Sequence, residues 1–147
     1  MADVDFDAIG ADVVATVAAV AGVKSCVYPP PEVAPAQGPS CWVDLGPIPF
    51  DLGNLEIGQV GITVTVATPR KGDYPREYRL VLKTAYAIVV AFRANVLIAG
   101  QAVVAAPAVV TKPVPALYGE QQPNNVTACT VQFAAETLTE TVNQIAP

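Results

Sequence analysis

Between Gln59 and Thr68 the chain alternates, with Val60, Ile62, Val64 and Val66 on one side of an extended backbone and Gly61, Thr63 and Thr65 on the other. Successive side chains of a strand point to opposite faces, so this pattern predicts an antiparallel strand with one face buried and the other half-wet. Pro69 closes it, and the rest of the chain has to supply a cover for the buried face.

Two segments have the periodicity to be that cover. From Asp5 to Gly22, Phe6, Ile9, Val13, Val17 and Val20 recur every three or four residues and paint one face of a helix; Asp3 or Asp5 can cap its start and Gly22 can end it. From Pro75 to about Ala94, Tyr78, Leu82, Ala85, Val89 and Phe92 repeat in the same way, with Val81 and Ile88 widening the stripe, and Asp73 followed by Pro75 marks the helix start. The later turns of this second helix are apolar on nearly every side, which predicts that more than one of its faces is covered.

Further strands are expected at Val23 to Tyr28, at Cys41 to Leu45 with Trp42 in the core, and at Gln101 to Thr111, where Pro107 implies an edge or bulge. A last strand carries the alternating Thr127, Cys129, Val131 and Phe133. Pro29 to Ser40, stiffened by Pro29, Pro30, Pro31, Pro35 and Pro39, reads as a loop, and so does Lys112 to Asn125 with Pro113, Pro115, Gly119 and Pro123. The polar end, Glu136 to Pro147, either extends the last strand or orders on a neighbouring subunit. The expected fold class is α+β in a single domain over residues 1–147: a mixed, mainly antiparallel sheet of four to five strands with two helices packed on one face, in the order α-β-β-β-α-β-β.

Composition then constrains what such a domain is for. Hydrophobic residues make up 52% of the 147 and charged residues only 14%, against roughly a quarter charged in an ordinary soluble domain, so a surface shielded by partners is expected. The longest oily stretch, Ala85 to Val110, is broken by Arg93, Asn95, Gln101 and Pro107 and reads as a buried helix running into a strand, so no membrane span is expected. Met1 to Asp7 carries three aspartates and no basic residue, which does not suit a secretory signal. Cys26, Cys41 and Cys129 match no zinc or redox spacing and read as small core side chains kept reduced. A net charge of −5 argues against a grip on nucleic acid through a basic face.

The chemistry of a catalyst has no clear footprint. There is no histidine; Arg70, Lys71, Gly72 and Asp73 lack the repeated glycines of a phosphate loop; Asp44, Asp51 and Glu56 fall on different loops and strand ends. The expectation is a non-enzymatic protein without metal or cofactor.

The order of elements, together with "VKSCVYPPP", "CWVDLG", "ITVTVATPRKGDYPREYRLVLKTAYAIVVAF" and "ACTVQFAAETLT", resembles the tail terminator proteins of long-tailed, siphovirus-like bacteriophages. The resemblance runs from Phe6 to about Thr139 and is one of layout. It implies a virion subunit, assembled in the host cytoplasm, that forms a ring, expected to be a hexamer, at the head-proximal end of the tail. There it caps the tail tube, stops polymerisation of the tube protein, and meets the head completion or connector protein, while DNA only passes through the lumen. A closed ring joins unlike patches on neighbouring subunits, and the apolar or mixed loop residues Tyr28, Pro30, Val33, Pro47, Phe50, Leu52, Arg70, Lys71, Tyr74, Leu117 and Tyr118 are the candidates for those patches; for each, packing within its own loop is an equally natural role. Two other readings are another neck or tail completion protein, and a small apolar-ligand-binding module whose second helix lines a pocket with Tyr86, Arg93 or Asn95 as its polar groups.

Overall fold

A computed structural model describes residues 5–46, 59–104, 108–119 and 124–137. Within them lie two helices, α1 (Phe6–Ala18) and α2 (Tyr74–Ala94), and eight strands: β1 (Ser25–Val27), β2 (Ser40–Gly46), β3 (Gln59–Pro69), β4 (Leu97–Ile98), β5 (Ala102–Val104), β6 (Val109–Val110), β7 (Val114–Tyr118) and β8 (Asn124–Thr137). The fold is α+β with a mostly antiparallel sheet, and the two helices lie on the same side of it.

The alternating segment is the central strand. β3 pairs antiparallel with β2 on one side, and on the other with β8 from Gln59↔Glu136 to Pro69↔Val126. This register sets Val60, Ile62, Val64 and Val66 beside Ala135, Phe133, Val131 and Cys129, and sets Cys41 and Val43 beside Val66 and Val64. Onto that row α1 lowers Ile9, Val13 and Val17 and α2 lowers Val81, Ala85, Ile88, Val89 and Phe92, making one continuous core. The other face has a smaller cluster of Ala34, Trp42, Ala67 and Val126, so Trp42 is a core residue of that second layer.

Four expectations need correction. The sheet has eight strands where four to five were expected, because β8 is long enough to pair with β5, β6 and β7 in succession along the edge opposite β3. Gln101 to Thr111 supplies two short strands, β5 and β6, and the short β4 precedes them, joined to β5 by a tight turn with Ala99 and Gly100 at positive φ. The segment read as a loop from Lys112 to Asn125 contains β7; its Pro115 is tolerated because, among the described residues, β7 pairs only with β8. Finally, α1 stops at Ala18, capped by Ala19, and Gly22 takes its positive φ in the turn beyond. At the other end of the chain, β8 extends to Thr137, into the segment read as a polar tail.

Local chemistry explains the helix starts. Asp5 accepts the Ala8 amide at 3.0 Å and Asp73 accepts the Arg76 amide at 3.2 Å, each filling the N-cap role. α1 is then tied to the β4–β5 turn, where Gln101 accepts the Asp5 amide and Asp12 accepts the Ala99 amide.

Candidate functional site

The proline-rich loop is held at both ends by close packing. At its start the Tyr28 ring lies close against Gly10 of α1; near its end Gly38 lies so close to Thr68 of β3 that a methyl group would not fit. In the middle, the Tyr118 hydroxyl donates to the Pro31 carbonyl while its ring packs against Trp42 at 4.5 Å between centroids, tilted by 40°. β7 and the loop are therefore one surface. Val33, 55% exposed, projects from it, and Pro30 is exposed as well; Leu117, 68% exposed, alternates with Tyr118 along β7 and so lies on the opposite face of the sheet, the one that carries the helices. Asp44 and Glu32 are exposed there too. The Tyr118 phenol is pushed above its ordinary range by burial and then by the charge of Asp44; Tyr28 is pushed up by burial and then by Asp7 and Asp44. The apolar tips of this surface thus share it with Asp7, Glu32 and Asp44.

Of the other candidates, Arg70, Lys71 and Tyr74 come together at the turn between β3 and α2. The Arg70 guanidinium lies 5.7 Å from the Tyr74 ring centroid, the Tyr74 hydroxyl donates to the Pro113 carbonyl at 3.3 Å, and the Arg70 amide donates to the Asn125 carbonyl. What fixes the turn is Glu77. Its buried carboxylate accepts the Lys71 amide at 3.0 Å, the Asp73 amide at 3.2 Å and the Thr127 hydroxyl at 3.3 Å. Pro47, Phe50 and Leu52 lie outside the described residues.

A second surface was not among the candidates. Arg76, Arg79, Lys83, Tyr86, Val90 and Arg93 follow one another at steps of three or four along α2, with Leu80 beside Arg79, and all are exposed, Tyr86 by 58% and Val90 by 59%. The expectation that α2 would be covered on more than one face does not hold within this subunit. Among the described residues, the charged groups of its four cations make no ion pair or hydrogen bond. Like charges at this spacing cost roughly 0.2–0.5 kcal/mol per pair. Together with Arg70 and Lys71 they are six of the 8 basic residues in the chain. That clustering was visible in the sequence, but a net charge of −5 conceals it. Along the same helix a trough of about 590 Å³ opens between α1 and α2, lined by Ala15, Ala19, Val20, Ala87, Val90 and Ala91 among others.

The residues read as polar groups of a ligand pocket do not converge. Asn95 lines the end of this trough and spends its amide on the Ala91 carbonyl, and Tyr86 lies on the exposed stripe. Arg93 borders a separate recess with Phe92, Val96 and Phe133; at about 250 Å³ it falls below the usual range of ligand sites, roughly 300–1,000 Å³. Burial pushes the Cys26 and Cys129 thiols up to about 12 and Cys41 higher still, which leaves them poor nucleophiles near neutral pH. Among the described residues no group of three or more His, Cys, Asp or Glu could hold a metal ion, and no helix is long and apolar enough to cross a membrane. No protein-family model matches the chain, and no curated protein matches it.

Proposed function

We propose that this protein is a structural subunit of a siphovirus-like virion: a tail terminator that closes into a ring, caps the tail tube, stops its growth and offers a face to the head completion protein. The observation that carries the reading is the pair of unlike exposed apolar surfaces, Tyr86 and Val90 on α2 and Pro30 and Val33 on the proline loop. A cyclic assembly joins one patch to a different patch on the next copy, so it requires two such surfaces on every subunit. A chain with so few charges also gains solubility when its copies shield one another. The layout resemblance chooses the terminator among ring-forming roles.

The test is to add the purified protein to polymerising tail-tube subunits and measure tube lengths by negative-stain electron microscopy. Shorter tubes with a ring on one end are expected. Tubes of unchanged length with bare ends reject the assignment, whatever the protein's own oligomeric state.

A further inference from the structure

We infer that the exposed face of α2 is the socket for the proline-loop surface of a second copy of this chain, with Arg79 and Lys83 meeting Glu32 and Asp44, and Val33 entering the trough beside Val90. The inference rests on the ring reading and names the surfaces that would make the ring.

Charge complementarity carries it. The α2 stripe presents Arg76, Arg79, Lys83 and Arg93 with no described partner, whereas the loop surface presents Glu32 and Asp44, both exposed. Each set accompanies apolar residues that a monomer leaves in water: Tyr86 and Val90 on one side, Pro30 and Val33 on the other. The trough extends the stripe sideways through Ala87 and Val90, giving an apolar floor made largely of alanines into which small aliphatic side chains fit. The loop that would enter it is pre-shaped, since Tyr118 holds Pro31 and Gly38 is wedged against Thr68; little ordering entropy is then lost on docking. Duplex DNA is the competing occupant of a cationic helix. It does not explain exposed Tyr86, Val90 and Leu80 among the cations, and the chain itself supplies the complementary acids.

The experiment uses the full chain and reads mass by size-exclusion chromatography with light scattering at a concentration where the wild type is a ring. R79E/K83E and E32K/D44K should each fall to the monomer mass, with thermal melts showing them folded. An equimolar mixture of the two should regain the ring mass, because the acidic socket of one variant then faces the basic loop of the other. Should R79E/K83E fail to fold, R79Q/K83Q should still lose most of the ring. Rings that survive both reversals, or a mixture that stays monomeric, overturn the inference while the wild-type ring keeps the ring reading standing. A wild type that is monomeric at every concentration overturns both. Reversal that spares the ring but abolishes its retention of duplex DNA overturns the second-copy docking and assigns the face to DNA.

Discussion

Gly10 occupies a helical position where alanine is ordinarily better by roughly 1 kcal/mol. Here a Cβ would stand under 3.0 Å from three atoms of the Tyr28 ring, Cγ, Cδ2 and Cε2, along one edge of a rigid ring. The ring is fixed by the chain entering the proline loop, so Gly10→Ala should be destabilising by about 1–3 kcal/mol in spite of the propensity gain. Urea denaturation checks this, and a more stable variant would show that the Tyr28 contact is loose. The thiols make a second prediction at this scale. Burial raises Cys26 and Cys129 from 9.0 to about 12, so the unfolded chain sheds those protons first as pH rises. Stability should therefore be flat below about pH 8.5 and fall progressively between about 9 and about 12. Melting temperature from pH 7 to 11 should decline less steeply in C26A/C41A/C129A; an identical alkaline slope would remove the thiols from the account.

At the scale of elements, the start of α2 and the turn before it depend on one buried acid. Glu77 is satisfied by two amides and a hydroxyl from three places in the chain: the turn, the helix cap and β8. Glu77→Ala leaves the Lys71 and Asp73 amides without acceptors in a part-buried site, and should cost about 2–3 kcal/mol. Protection of the amides of residues 71 and 73 against hydrogen exchange should fall with it, and unchanged protection would show that water replaces the carboxylate without loss. Sequence periodicity has no access to Glu77, since a glutamate in a first turn ordinarily faces water, and its burial follows from where β8 passes. The same contrast separates what was legible from what was not. α2 and β3 announce themselves through their own repeat of apolar residues, and α1 does so apart from its last turn. β7 does not: Pro113 and Pro115 resemble loop chemistry, and β7 is a strand only because residues 124–128 lie beside it. The basic stripe was legible as a cluster of residue numbers, but its exposure depends on which face of α2 meets the sheet.

For the whole molecule, the question is what covers Tyr86 and Val90. Burial of the two side chains is worth roughly 1.5–3 kcal/mol each if complete, and a subunit that leaves them in water forgoes that gain. In a ring the gain is recovered through association, so it appears as a dependence of stability on protein concentration: whatever binds only the folded state raises the melting temperature as its own concentration rises. Between micromolar and hundred-micromolar protein the melting temperature of the wild type should climb by several degrees. Tyr86→Ser/Val90→Ser should remove most of this climb while the dilute melting temperature stays nearly the same, because both side chains lie on the solvent side of α2 and contribute little to the core. Calorimetry across that range decides the matter: a wild type whose melting temperature ignores concentration has no self-association to explain, and a double variant that melts far earlier when dilute would place these side chains in the packing of the subunit itself.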